Sequence, residues 1–186
     1  MNPDYIPFPT TDNQNMSTPT IETERLILRK WHLNDAEALF KYASDKRVSE
    51  LALWPCHTSV EMSRDVIEHV FATNPYSFAM VLKETNEPIG CIGLVPPDSE
   101  HYSLADCEME VGYWIGHKYW GKGLTTEALG SIIEYCRQKL NLKSLVITTD
   151  ARNFPSQRVA EKCNFRFIEN YTLDGIASNA YRLTLM

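Results

Sequence analysis

Between residues 108 and 139 the chain reads "EMEVGYWIGHKYWGKGLTTEALGSIIEYCRQK", and this run leaves little choice of architecture. A strand-like segment, "CEMEVGYWI", gives way to three glycines, Gly116, Gly121 and Gly123. A helical pattern follows at once, with Leu124, Ala128, Ile132, Ile133 and Cys136 on its apolar stripe to about Lys139. The first turn of a helix carries backbone N–H groups without intrahelical partners and the positive end of the helix dipole. A glycine-rich turn entering that end brings the backbone close enough to wrap an anion, most often a phosphate. The scaffold must therefore offer a sheet strand to deliver the loop and a packed helix to receive it.

The flanking segments supply that scaffold. "RLILRKW" alternates, with Leu26 and Leu28 on one face and Arg25, Ile27 and Arg29 on the other, as in a half-buried strand. Asn34 with Glu37 three residues on predicts a capped helix whose buried stripe is Ala36, Leu39, Phe40 and Ala43. Thr58 and Glu61 repeat that signature before a second helix lined by Met62, Val66, Ile67 and Val70. "YSFAMVL" and "PIGCIGLV" across the turn "KETNE" predict a hairpin. After the glycine helix come a strand, "SLVITT", a short helix, "SQRVAEKCN", and two closing strands, "FRFIENYTL" and "AYRLTLM". The order βααβββαβαββ describes one α/β domain over 21–186, a mixed sheet with helices on its faces. The first twenty residues, "MNPDYIPFPTTDNQNMSTPT", are expected to form a flexible extension and lack the apolar run of a signal peptide.

Composition removes several classes of function. A net charge of −6 argues against a general nucleic-acid binder, whose surface would be basic. No segment approaches the ~18 apolar residues of a membrane span, so no membrane partner is expected. Cys56, Cys91, Cys107, Cys136 and Cys163 are scattered, odd in number and without a C-x-x-C pair. That usage suits reduced thiols and a cytoplasmic protein. The histidines are equally dispersed, and no metal is expected.

Two phosphate-binding patterns fail on single residues. Gly116-x-x-x-x-Gly121-Lys122 starts a P-loop, but Gly123 stands where a Ser or Thr hydroxyl would hold Mg²⁺. Gly121-x-Gly123 starts a dinucleotide fingerprint, but Thr126 stands where the third glycine belongs. A loop that merely turned a strand into a helix would not call for two glycines straddling Lys122.

The stretch "EVGYWIGHKYWGKGLTTEAL" resembles the acetyl-coenzyme A loop of the GNAT superfamily of N-acetyltransferases, in particular its RimJ/RimL-like branch. The superfamily pattern Q/R-x-x-G-x-G/A falls on Trp120-Gly121-Lys122-Gly123-Leu124-Thr125, with Thr125 in place of the usual Gly or Ala. "RNFPSQRVAEKCNF" is similar to the segment N-x-x-S-x-x-x-x-E-K-x-G-F, with Asn153, Ser156, Lys162 and Phe165 in register and Asn164 replacing the glycine. "ETERLILRKWHLNDAEALF" looks like the opening strand and helix of the same branch, so the resemblance runs from about Ile21 to Met186.

The resemblance implies a twisted, mostly antiparallel sheet flanked by helices, with acetyl-CoA as cosubstrate and no metal. It places the pyrophosphate at Trp120, Gly121, Lys122, Gly123, Leu124, Thr125 and Thr126. Trp114 and Ile115 would face the pantetheine, and Asn153 would grip its amides. The expected reaction is direct acetyl transfer to a primary amine in a ternary complex, the acceptor being a protein N-terminal amine or a small amine. A non-catalytic acetyl-CoA-binding module is the alternative, and either a monomer or a homodimer is compatible. Glu108 and Glu110 share one face of the strand by period two, and Glu110, nearer a bulge expected at Gly112, is the first candidate base, with Glu108 or water in reserve. The phenol that many members use to protonate the leaving sulfur is missing, since Ala160 stands in its place, and Ser156 becomes the candidate acid. A helix-capping role for Ser156 is the competing reading. Trp31, Trp54 and Tyr76 are candidates for the acceptor groove, walled by the first two helices and the closing hairpin.

Overall fold

The computed structural model describes residues 18–52, 54–96 and 99–185, and the flexibility expected of the first twenty residues falls almost entirely outside them. Eight strands form one sheet in the order β1-β2-β3-β4-β5-β6-β8-β7. They are β1 (Ile21–Glu22), β2 (Leu26–Arg29), β3 (Ser77–Leu82), β4 (Glu87–Leu94), β5 (Glu108–Ile115), β6 (Ser144–Asp150), β7 (Arg166–Leu173) and β8 (Ile176–Thr184). Every neighbouring pair is antiparallel except β5 and β6, which run parallel because the helix between them returns the chain to the same end. The helices are α1 (Ala36–Ala43), α2 (Lys46–Ala52), α3 (Val60–Val66), α4 (Leu124–Lys139) and α5 (Phe154–Lys162).

Strand alternation builds a core on each face. On β3, Phe78 and Met80 join Leu26, Leu28, Leu129 and Ile132 beneath α4. Ala79 and Val81 point the other way, to Trp31, Leu39, Ala43 and Ile67 under α1 and α3. The expected alternation of β2 holds, with Leu26 and Leu28 fully buried and Ile27 and Arg29 partly covered.

Three local expectations are corrected. Asn34 does not cap the first helix, because the chain enters through a 3₁₀ turn, Leu33–Asp35. There the Asp35 carboxylate accepts the His32 N–H at 2.9 Å and pairs with Arg29 at 2.7 Å. The second helix is capped one residue later than Thr58, since Ser59 Oγ accepts the Met62 N–H at 3.1 Å. That helix widens into a π turn over Ile67–Phe71, which leaves Val70 exposed and stacks Phe71 on Trp31 with centroids 5.1 Å apart. Between these helices lies α2, absent from the expected order, with only Val48 and Ser49 buried and no apolar period to announce it.

Candidate active site

The parallel pair β5–β6 holds for only three residue pairs, ending at Glu110↔Val146. Beyond it both strands continue, β5 bonded to β4 as far as Ile115 and β6 to β8 as far as Asp150, but not to each other. The sheet thus opens into a wedge, and β5 leaves backbone groups on that side without a strand partner. The bulge expected at Gly112 is absent, because Gly112 pairs with Gly93 in unbroken register. The opening comes from the divergence of two strands, and no extra residue is needed.

At the wide end of the wedge the chain turns into α4. Gly121 and Gly123 adopt φ of +71° and +76°, a region that side chains with a Cβ disfavour. Gly123 is the N-cap residue of α4 and offers no side chain to its first amides, whereas Ser59 caps α3 and Asn153 caps α5. An ideal Cβ built at Gly121 would meet nothing within 4 Å, so the loop is open on that side. These features fit an anion held by backbone N–H groups. Arg25 ties the loop from outside: its Nη1 donates to the Lys122 carbonyl at 2.9 Å and its Nε to Glu127 at 2.7 Å. Trp120 closes the base of the loop by donating Nε1–H to the Ile115 carbonyl at 2.9 Å.

A cavity of about 500 Å³ runs along this arm of the wedge. Trp114, Ile115, Trp120, Gly121, Gly123, Leu124, Thr125, Thr126, Asn153 and Ser156 all line it, so nearly every candidate cofactor residue converges on one groove. Lys122 does not. Its ammonium lies over the Tyr119 ring, 5.5 Å from the centroid, and only its carbonyl serves the loop. Asn153 is occupied as the cap of α5, with Oδ1 accepting the Ser156 N–H at 3.2 Å. Ser156 is thereby relieved of capping, and its Oγ lies 3.0 Å from the hydroxyl of Tyr113, which reaches across the wedge from β5. Tyr113 thus brings a phenol to Ser156 from the facing strand, and burial pushes it well above the ordinary tyrosine range.

A second cavity, about 540 Å³, opens on the other face and shares Leu51, Ala52, Tyr113, Trp114, Asn153 and Ser156 with the first. Leu39, Ala43, Trp54, Met62, Val66 and Leu173 give it an apolar wall, and its polar groups include His57, His101, Glu110, Thr148 and Asp150. Trp54 lines this cavity, edge-on to Trp114 at 5.7 Å, whereas Trp31 and Tyr76 are core residues at 2% and 1% exposure. Glu110 lines this cavity, but its side chain is only 2% exposed. Its carboxylate accepts the His101 N–H at 2.7 Å and the Thr148 hydroxyl at 2.5 Å, and lies 3.0 Å from His101 Nδ1. Glu108 is held elsewhere, gripped by Arg182 at 2.6 and 3.1 Å, Ser144 Oγ at 2.7 Å and the Ala105 N–H at 3.0 Å. Burial raises its carboxyl, and these bonds outweigh burial and hold it below the usual range.

Residues 25–166 match the family model described as the acetyltransferase (GNAT) domain. The chain belongs to the GNAT family. It is 33% identical over 151 residues to an N-acetyltransferase named p20 from Bacillus licheniformis, a match covering 79% of this chain and 82% of that one. A solved structure described as a putative ribosomal-protein-serine acetyltransferase from Vibrio cholerae superposes with a TM-score of 0.75 at 26% identity, over 91% of this chain and 99% of that one. RimL, the ribosomal L7/L12 alpha-N-protein acetyltransferase solved with coenzyme A, shares the fold with a TM-score of 0.73 at 20% identity, over 89% and 98% of the two chains.

Three polar groups of this GNAT site were not singled out from the sequence. Tyr113 sat in plain view inside "VGYWI", but its meeting with Ser156 spans 43 positions. His101 lies in an irregular loop whose spacing carries no period, and Thr148 belongs to a strand read only for its apolar face. Period two along β6, applied beside the candidate carboxylate on β5, was the one signal that could have found Thr148. Among the described residues no helix is long and apolar enough to cross a membrane.

Proposed function

We propose that this GNAT protein transfers an acetyl group from acetyl-CoA to a primary amine by direct attack in a ternary complex. The observation that carries the reading is the pair of cavities meeting at one wall, with Tyr113, Trp114, Asn153 and Ser156 common to both. The groove along α4 takes the cofactor: the uncapped helix start and Gly121–Gly123 receive the pyrophosphate, and Trp114 and Ile115 flank the pantetheine arm. The unpaired N–H groups of β5 beyond Glu110 offer donors for the oxyanion that forms as the amine adds to the thioester carbon. The amine's proton leaves towards Glu110 and the groups bonded to it on the wall of the second cavity. Ser156, joined to Tyr113, gives a proton to the departing thiolate.

Direct transfer is favoured over an acyl-enzyme by the state of the thiol on that cavity. Cys91 lines the second cavity, but burial pushes it up to about 11, leaving almost no thiolate at neutral pH. The acceptor is a protein N-terminal amine, as in RimL, or a small amine. The apolar wall suits a nitrogen carried on a hydrophobic body.

Calorimetric titration with acetyl-CoA, followed by thiol release with a panel of amines, tests the reading. Binding should stabilise the fold by about 2.7 kcal/mol when the ligand is at a hundred times its Kd. Tight binding with no thiol release from any amine would leave the non-catalytic module, and binding of Mg-ATP in place of acetyl-CoA would revive the nucleotide loop.

A further inference from the structure

His101 stands in the loop before β5, on the wall of the acceptor cavity, with its side chain 48% exposed. It is held to one carboxylate twice, by its backbone N–H at Glu110 Oε2 and by its ring Nδ1 at Glu110 Oε1. Thr148 donates to Oε1 as well, so two nearly buried oxygens serve three donors. An ionised carboxylate only accepts, and Nδ1 must therefore carry the ring hydrogen. In the neutral ring that leaves the lone pair on Nε2, at the opposite edge from Glu110.

We propose that His101 takes the proton of the acceptor amine, and that Glu110 is a positioning residue that fixes the imidazole through Nδ1–H. The inference rests on the acetyl-transfer reading above and names the atom that performs one of its steps. As the amine nitrogen bonds to the thioester carbon, the Nε2 lone pair takes its N–H proton, and the electrons of that bond remain on the nitrogen of the new amide. The ring becomes an imidazolium facing Glu110 and later returns its proton to water through its exposed edge. The charged and titratable groups around it are Glu100 and Tyr102 on its own loop, Glu110 from β5, Asp174 from the β7–β8 turn and the Tyr171 phenol from β7. Asp150 of β6 and His57, which burial holds below the ordinary histidine value, line the same acceptor cavity. The hydrogen bond to Glu110 raises His101 above its ordinary 6.5, burial works against it, and the charges of Glu110 and Asp174 add to the rise. The active form is the neutral ring, so the rate should climb as pH rises through that raised value and then level off.

The test is the pH profile of kcat/KM with acetyl-CoA and three probes: 2-phenylethylamine, spermidine and a hexapeptide beginning with serine. His101→Gln should lose about 10²-fold or more and the ascending limb with it, while calorimetry shows unchanged coenzyme A affinity. Glu110→Gln should keep a limb displaced to lower pH, since the ring then loses the carboxylate that raises it. Added imidazole should restore part of the rate to His101→Gly and none to Glu110→Gln. A His101→Gln variant with wild-type rate and limb overturns the assignment and returns the proton to Glu110 or water. If wild type binds acetyl-CoA and releases no thiol with any probe, the acetyl-transfer reading falls and this one with it; loss of the dyad alone shows only in the variants.

Discussion

Asn153 and Ser156 stand three residues apart, and the structure gives the cap of α5 to Asn153, leaving the Ser156 hydroxyl outside it. Asn153 Oδ1 caps α5, so Asn153→Ala should cost about 1 kcal/mol and lower the melting point by about 2–4 °C. Ser156 carries no cap. Its hydroxyl faces Tyr113 across the wedge, and Ser156→Ala should slow thiol release by about tenfold or more while leaving the melting curve and coenzyme A affinity in place. A lower melting point with full activity would assign the hydroxyl to stability and leave protonation of the thiolate to water. At this scale the sequence exposed what lies along one helix, because i and i+3 are neighbours there. It hid Tyr113 and His101, whose partners come from other elements, Ser156 on α5 and Glu110 on β5. Glu110 was legible as a carboxylate on the correct face of β5 and illegible as the holder of a histidine nine residues earlier.

The glycine loop is an element held in shape by another element. Arg25, at the entry to β2, bonds the Lys122 carbonyl and the Glu127 carboxylate, and Thr23 donates to Glu127 at 2.5 Å. A carboxylate in the first turn of α4 would otherwise repel a phosphate one turn away, and Arg25 offsets its charge while fixing the loop. Arg25→Ala should weaken coenzyme A binding by about tenfold in calorimetry, although Arg25 lies outside the groove's lining. An unchanged affinity would mean that the loop holds its shape unaided. Gly123→Val should also weaken binding, chiefly through its φ of +76°, for an added Cβ would find only Arg25 Nη2 at 3.6 Å. The span of α4 was legible to within about a residue, because glycines and an apolar stripe mark its start and its course. The entry of α1 and the whole of α2 were not, since there a tertiary ion pair from Arg29 and a polar, weakly patterned stretch override local signals.

Across the whole molecule, the same β5 that carries the candidate chemistry is fastened to the closing hairpin by Glu108 and Arg182. Glu108 has a lowered folded pKa against an ordinary 4.5, so the stability it contributes is present above about pH 4.5 and fades as pH falls through the lowered value. Glu108→Gln should therefore be clearly less stable than wild type in urea at neutral pH, with the gap narrowing steadily under acid. A gap independent of pH would assign the effect to packing. The mixed sheet was legible from element order and its mostly antiparallel pairing from the family resemblance, whereas the place where it parts was not, because divergence of two strands leaves no mark in either one. On the proposed reading, that parting makes the molecule bivalent. Two pockets with a common wall hold two ligands end to end, so a single compound joining coenzyme A's sulfur to an accepted amine through an acetyl-length bridge could straddle the gap in the sheet. Its second half would bind at the high effective concentration set by the first, and its affinity should exceed that of coenzyme A by about 10²-fold or more, a gain that blocking either pocket alone would abolish.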